Sequence, residues 1–170
     1  MNTIIINEDK LNNNDIEVVS NKVRAILVDD HKLLIANYGG VYLLPGGSIE
    51  NGESKDNAII RELKEEIGID YSINELESIL TLNYYQKHYP VRHGNFKNRL
   101  SITNFYLGNY RGIDLCKINR TAKEIRDGFS LRLVDYDNLD MLISENSSNP
   151  RKLFFDRELS ELQKVLSKTF

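Results

Sequence analysis

Residues Gly46–Ile69 read GGSIENGESKDNAIIRELKEEIGI, a glycine-rich loop followed by a segment with helical character. Within that segment Glu62, Glu65 and Glu66 have the spacing i, i+3 and i+4, which places their carboxylates side by side on a helix. Adjacent negative charges oppose helix formation, whereas a cation shared between them removes the repulsion. The stretch therefore predicts a loop–helix unit that binds a divalent metal ion.

The helix in this stretch is amphipathic. Ser54 is suited to cap its N-terminus, and Gly68 is suited to end it. Ile60, Leu63 and Ile67 repeat at i, i+3 and i+7, and this apolar stripe lies to one side of the carboxylates. We therefore expect one side of the helix to pack on a sheet while a neighbouring side faces a cleft.

Composition restricts the function classes. The chain has 170 residues, 41% of them hydrophobic and 28% charged, which is ordinary for one globular domain. Its formal net charge of −3 lacks the basic footprint expected of a protein that binds long nucleic acid. With the single cysteine Cys116, no disulfide can form within the chain. No apolar segment is long enough to span a membrane, so a cytoplasmic protein is expected.

Alternating and β-branched residues predict strands on both sides of the loop–helix unit. Residues 1–17 are expected to form either a loose N-terminal arm or an edge strand, and residues 145–170 a polar linker and a C-terminal helix. The order of elements predicts an α+β fold or a three-layer α/β/α sandwich, in a single domain over residues 1–170. The predicted strands are Val18–Val28, Leu33–Ala36, Val41–Leu44, Leu76–Tyr85, Leu100–Tyr110 and Phe129–Tyr136.

The loop–helix stretch resembles the signature of the Nudix hydrolase family, G-x5-E-x7-R-E-U-x-E-E-x-G-U, where U is apolar. Gly47, Glu53 and the run from Arg61 to Ile69 match it at every fixed position. The resemblance implies a Nudix fold, with a mixed β-sheet, the helix of the signature and a C-terminal helix. The alternative is a solvated acidic helix whose glutamates pair with lysines and arginines one turn away.

The resemblance also implies a metal site. Glu65 and Glu66 correspond to usual metal ligands of the family, and Glu62 corresponds to a ligand or the catalytic base. The backbone carbonyl of Gly46 would be a further ligand. Hard oxygen donors of this kind suit Mg²⁺ or Mn²⁺.

Other residues are expected to support catalysis by the same resemblance. Arg61 would hold a carboxylate in a bidentate pair, and Glu53 would be an outer metal ligand or an orienting group. Many family members use a further glutamate from a later region, for which Glu124 is the best candidate. The predicted catalytic set is thus Glu62, Arg61 and Glu124, with the choice of base between Glu62 and Glu124 left open.

Residues outside the signature are expected to select the substrate. In the family, a tyrosine at a set distance after the signature accompanies dinucleoside polyphosphate hydrolases, and a proline accompanies ADP-ribose hydrolases. This chain has Tyr84 and Tyr85 there, while Pro90 falls later. The basic and aromatic connection 86–99 is either a lip over the site or a solvated hairpin loop. The predicted substrate-binding residues are Tyr84, Tyr85, Tyr89, Arg92 and Arg99.

The resemblance implies metal-dependent hydrolysis of a phosphoanhydride bond in a nucleoside diphosphate linked to another group. A nucleotide or dinucleoside polyphosphate is favoured over ADP-ribose or a nucleotide sugar. Two alternatives stay open: a catalytically inactive nucleotide-sensing module and an RNA 5′-end pyrophosphohydrolase. The expected partner is a small nucleotide, without membrane or long nucleic acid, and a homodimer is compatible with the family.

Overall fold

A computed structural model describes residues 2–91, 94–119, 125–126, 128–145 and 158–164. The described part contains seven strands and two α-helices with complete bounds, and residues 125–126 and 158–164 are also helical. The elements are β1 (Asn2–Ile6), β2 (Val18–Asp29), β3 (Lys32–Tyr38), β4 (Val41–Leu43), α1 (Lys55–Ile67), β5 (Glu77–Pro90), β6 (Phe96–Asn109), β7 (Ser130–Asp135) and α2 (Leu139–Glu145).

The strands form one mixed sheet in the order β1-β5-β6-β2-β3-β4, with β7 paired to β3. The pairs β1–β5 and β2–β6 are parallel, and the other pairs are antiparallel. The mixed sheet predicted from the sequence is confirmed. β1 is the edge-strand alternative for residues 1–17, since it pairs with β5 from Asn2 to Ile6.

The glycine-rich loop lies along β2 as an additional edge. The amide of Val23 donates to the carbonyl of Gly47 at 3.0 Å, and the amide of Ala25 donates to that of Pro45 at 2.8 Å. β2 pairs with β3 only at its far end, from Val28 onwards, so the loop takes the place beside the first half of β2. The loop is therefore fixed to the sheet just before α1 begins.

Helices cover both faces of the sheet, which confirms the three-layer arrangement. On one face, α1 buries Ile59, Leu63 and Ile67 in a core that also contains Val23 and Leu27 of β2. On the other face, α2 and the segment 158–164 contribute to a second core. Its buried members include Ile26, Leu80, Phe105, Leu139, Leu142, Leu159 and Leu162.

The ends of α1 agree with the sequence prediction. The Ser54 hydroxyl accepts a hydrogen bond from the amide of Asn57 at 3.1 Å. Gly68 ends the helix with φ 75°, a left-handed conformation that glycine adopts without steric cost. The apolar stripe differs by one residue, because Ile59 is fully buried and Ile60 is only partly buried. The stripe is therefore centred closer to Ala58 and Ile59 than predicted.

The connection expected over residues 86–99 is mostly strand, because β5 continues to Pro90 and β6 begins at Phe96. A register shift between Gln86 and Tyr89 lets the pair continue through this region. The linker and the first part of the expected C-terminal helix lie outside the described residues, and the helical segment 158–164 agrees with its later part.

Candidate active site

The loop backbone approaches its neighbours too closely for any side chain. At Gly46, with φ 127°, a Cβ atom would lie 2.4 Å from the carbonyl oxygen of Val23. At Gly47 it would lie 2.4–2.6 Å from the carboxylate of Glu62. Glycine at these two positions therefore allows the loop to lie against β2 and the Glu62 carboxylate against the loop.

Glu66 is a buried carboxylate held by two donors. Its Oε2 accepts from the amide of Gly46 at 2.8 Å, and its Oε1 accepts from the hydroxyl of Tyr38 at 2.6 Å. Burial raises the pKa of Glu66 to about 7, while the two hydrogen bonds act in the opposite direction. The carboxylate is thereby fixed against the loop backbone.

Arg61 joins the loop to the helix, because it binds carboxylates from both. Its Nε and Nη2 donate to the two oxygens of Glu53 at 2.9 and 3.0 Å, so the carboxylate in its bidentate pair is that of Glu53. Its Nη1 also donates to Glu62 at 2.8 Å and to Glu65 at 3.2 Å. The hydrogen bonds that Arg61 donates to Glu53 lower the pKa of Glu53 and raise the pKa of Arg61.

Glu62 is the better shielded of the carboxylates that Arg61 binds along the helix. Its side chain is 13% exposed, against 40% for Glu65. Burial raises the pKa of Glu62, and the hydrogen bond from Arg61 works against that rise. A carboxylate with a raised pKa is a stronger base than one in water, which suits Glu62 to accept a proton.

The donor set fits a hard divalent cation in its chemistry. Glu62, Glu65, Glu66 and the carbonyl of Gly46 offer oxygen atoms within one loop–helix unit. Across the described ranges, no three carboxylate, imidazole or thiol groups lie close enough together to hold a metal ion. Instead, the Arg61 guanidinium donates to both Glu62 and Glu65, and its positive charge offsets their negative charges. Metal binding would require these carboxylates to exchange hydrogen bonds to Arg61 for the cation.

The predicted substrate residues divide between the two faces of the sheet. Tyr84 and Arg99 share one face, since Tyr84 pairs with Ser101 and Arg99 pairs with Gln86. The Arg99 guanidinium lies 3.8 Å from the centroid of the Tyr89 ring. Tyr85 lies on the opposite face, with its hydroxyl donating to Asn13 at 3.1 Å. The structure thus brings Tyr84, Tyr89 and Arg99 to one face and separates Tyr85 from them.

Two predicted residues, Arg92 and Glu124, lie outside the described residues. The prediction that Glu124 is a base or ligand and that Arg92 binds substrate stays as it was.

Sequence reasoning missed two residues that contact the site. Tyr38 binds Glu66, but nothing in its position two residues after a predicted strand indicates this. Arg24 donates from Nη1 to the carbonyl of Gly46, and its charge lowers the pKa values of Glu62 and Glu66. A signal for Arg24 was present, because Lys22 and Arg24 are charged residues in a strand otherwise built for burial.

The comparison with known proteins defines the family. A family model described as the NUDIX domain matches residues 19–139. The chain belongs to the Nudix family.

Among relatives, an 8-oxo-dGTP diphosphatase of Proteus vulgaris is 36% identical over 55 residues, which cover 32% of this chain and 49% of the relative. A CTP pyrophosphohydrolase of Escherichia coli strain K12 is 38% identical over 59 residues, covering 31% and 44%. An ADP-ribose pyrophosphatase of Methanocaldococcus jannaschii is 36% identical over 59 residues, covering 32% and 35%. The chain spans half or less of the length of these relatives.

Solved structures agree with the fold. A NUDIX hydrolase from Nitrosomonas europaea superposes with a TM-score of 0.53 at 19% identity, covering 84% of this chain and 88% of that one. A MutT from a study of Aliivibrio salmonicida and Vibrio cholerae gives 0.51 at 21% identity, covering 89% and 99%. Within the described residues, no helix is long and apolar enough to cross a membrane.

Proposed function

We propose that this protein hydrolyses a phosphoanhydride bond in a nucleoside diphosphate linked to another group, with Mg²⁺ or Mn²⁺ as its cofactor. A nucleotide or dinucleoside polyphosphate is the favoured substrate class. The observation that carries the proposal is the placement of Glu62 and Glu66 against the backbone of Gly46 and Gly47. Buried carboxylates beside a glycine backbone form an oxygen-rich site that both a cation and a phosphate can approach.

The names of the relatives support the reaction class. They are an 8-oxo-dGTP diphosphatase, a CTP pyrophosphohydrolase and an ADP-ribose pyrophosphatase, and each name contains a nucleoside bearing at least two phosphates. The matched segments are short, so the relatives support the reaction class more strongly than any one nucleotide.

The residues of the site can divide the work of hydrolysis. Glu62, Glu65, Glu66 and the Gly46 carbonyl would hold the cation, with Glu53 outside them. When bound, the cation supplies positive charge that offsets the charge of the diphosphate. Before the cation binds, Arg61 holds Glu62 and Glu65 through the hydrogen bonds described above. Its bidentate pair with Glu53 fixes that residue at the end of the loop.

Glu62 is positioned to accept the proton of the attacking water, and Glu124 is the other candidate. The water oxygen forms a bond to phosphorus as its proton passes to the carboxylate. The bond from phosphorus to the bridging oxygen breaks, and that oxygen leaves with the electron pair. Catalysis would thus depend on positioning and charge rather than on a covalent intermediate.

A panel of nucleotides incubated with Mg²⁺ tests the proposal, with Glu66→Gln as the key variant. Glutamine keeps the shape of the side chain, and its amide can donate to the Tyr38 oxygen while its carbonyl accepts from Gly46. The fold should therefore persist, while the lost charge weakens cation binding. We expect the wild type to release a phosphate product from at least one nucleotide, and the variant to lose about 100-fold or more of that activity.

Glu77→Gln is the matched control, since Glu77 is an exposed glutamate on β5 outside the site. It should retain the wild-type rate. Nucleotide binding without turnover by the wild type would contradict the proposal and favour the nucleotide-sensing module. Turnover restricted to RNA with a 5′-polyphosphate would contradict the small-nucleotide class.

A further inference from the structure

β1 (Asn2–Ile6) is an edge strand without a charged side chain. It reads Asn-Thr-Ile-Ile-Ile and pairs in parallel with β5, in a continuous register along its whole length. Among the described strands, β5 is the only neighbour of β1 in the sheet. The backbone donors and acceptors that point away from β5 therefore form an open hydrogen-bonding edge.

The two faces of β1 differ in exposure. Ile4 and Ile6 are partly buried and pack against the core that lies under α2 and the segment 158–164. Because side chains alternate along a strand, Thr3 and Ile5 point to the other face. Both are exposed there, and Ile5 is 65% exposed. The core thus holds the strand in place, while two exposed β-branched side chains lie along its open edge.

The other outer strands of the described sheet have features that oppose pairing with another chain. β4 is only three residues long, and β7 carries the charged side chains of Arg132 and Asp135. Shortness and charge are two of the ways in which natural proteins protect an edge strand, and a β-bulge is a third. β1 has five residues, no charge and no bulge in its register with β5, so it lacks all three.

β1 lies before residues 19–139, which match the family model. The connection from β1 to β2 is fixed to the sheet by side chains of β5 and β6. The Tyr85 hydroxyl donates to Asn13 at 3.1 Å, and the amide of Asn98 donates to Glu17 at 2.9 Å. Through these contacts the segment adds an open edge to the sheet at a distance in sequence and structure from the carboxylates of α1.

We propose that β1 is the contact surface for a second copy of this chain, whose β1 pairs with it in antiparallel orientation and continues the sheet. A two-fold axis centred on Ile4 pairs all five residues of both strands, so that Ile5 of each copy faces Thr3 of the other. Self-pairing brings identical side chains close together, and a charged strand would repel its copy. β1 has no charge that opposes the contact, and pairing covers the exposed Ile5.

The size of the contact determines its strength and its stoichiometry. Two paired strands of this length cover less surface than the roughly 1,600 Å² of a standard stable interface. We therefore expect a dissociation constant that is about micromolar or weaker. Because the two-fold contact uses the open edge of β1 in both copies, association stops at two chains.

Sedimentation of the full chain at about 1–300 µM tests the association. We expect the mass to change with concentration from that of one chain to that of two. Ile5→Lys should raise the dissociation constant about tenfold or more, because it removes a covered apolar group from both copies and adds charge to the edge. Val19→Lys is the matched control, since Val19 is 55% exposed on β2, which β5 and β6 separate from β1. It should associate like the wild type.

Hydrogen exchange of the backbone amides, measured by NMR, tests where the contact lies. In concentrated wild-type protein the amides of β1 should exchange more slowly than in dilute protein, while those of β4 should keep their rates. In Ile5→Lys the exchange of β1 should depend much less on concentration. The thermal midpoint of dilute Ile5→Lys verifies that the variant is folded.

Four results would overturn this contact. The first is a wild type that remains a single chain at the highest concentration, which would leave the edge to a strand from another protein. The second is assembly beyond two chains, and the third is a dimer whose β1 amides exchange as fast as in dilute protein. The fourth is an equal dissociation constant for the wild type and Ile5→Lys. All four concern association, so they are independent of nucleotide turnover.

Discussion

Tyr38 is one of the two donors that hold the Glu66 carboxylate, so a substitution of Tyr38 tests how Glu66 is positioned. Its hydroxyl donates to Glu66 at 2.6 Å, and its ring packs edge-on against Phe129 with centroids 4.6 Å apart. Tyr38→Phe keeps the ring packing and removes the donor. We expect the variant to lose roughly 1–2 kcal/mol of unfolding free energy, because a buried carboxylate loses a hydrogen bond. The Mg²⁺ concentration for half-maximal activity should also rise, since Glu66 is less well oriented.

Tyr42→Phe provides the control for Tyr38→Phe, because it removes a hydroxyl from β4 beside Arg132 and outside the site. It should leave the Mg²⁺ dependence unchanged. An unchanged Mg²⁺ dependence in Tyr38→Phe, measured by titrating activity with the metal, would show that Tyr38 has no positioning role.

Some residues of the site could be predicted from the sequence, and others could not. Arg61, Glu53 and the three helix glutamates occur at fixed spacings, and local geometry brings them together within one loop and helix. A bidentate pair between Arg61 and a carboxylate was therefore predictable, although the sequence did not identify Glu53 as its partner. Tyr38 and Arg24 reach the site from other strands, so their contacts depend on the sheet register. A single sequence contains no direct record of that register.

At the scale of the element, the packing of α1 distinguishes two neighbouring isoleucines. Ile59 is fully buried against the sheet, whereas Ile60 is partly buried. Ile59→Ala should reduce the unfolding free energy by about 2–5 kcal/mol, because it leaves a cavity in a packed core. The same substitution at Ile60 should cost about 1 kcal/mol. Urea denaturation of both variants measures the difference, and equal losses would contradict the observed orientation of the helix.

The one-residue error in the stripe has a physical reason. The spacing of Ile60, Leu63 and Ile67 satisfies a helical repeat, but so does Ile59 with Leu63 and Ile67. Ala58 is also buried, but its small side chain adds little to a hydrophobic pattern read from the sequence. The choice between the two isoleucines depends on how α1 crosses the sheet, which the helix itself does not determine.

The length of β5 and β6 was underestimated for a similar reason. The segment 86–99 is polar and basic, which is typical of a loop. In the structure its two sides pair with each other, and His88 has a φ of 51° within the register shift. The amide of His88 donates to the side chain of Asn98 at 3.3 Å, so a side chain compensates where the ladder is interrupted. A hydrogen bond of this kind between two strands cannot be predicted from the alternation of residues within one segment.

At the scale of the whole molecule, the candidate site depends on all three layers. α1 packs on one face, the loop before α1 lies along β2, and Arg24 contacts the Gly46 carbonyl of that loop. Glu158 of the segment 158–164 contacts Thr103 and Arg24. The layers were predictable from their own patterns, whereas the contacts of Arg24 with both the loop and Glu158 depend on how these layers pack.

The buried environment of Lys22 connects these layers to the pH dependence of stability. Burial lowers the pKa of Lys22 from 10.5 to about 7, and the facing groups are Glu158, which raises it, and Arg24 and Arg99, which lower it. Between those two values the unfolded chain binds a proton that the folded chain lacks, so the unfolding free energy should rise with pH. The rise is at most about 1.4 kcal/mol per pH unit. Urea denaturation at pH values of about 7.5 and 9 should therefore show a larger increase for the wild type than for Lys22→Met. Parallel pH profiles for the two proteins would show that Lys22 stays protonated in the fold.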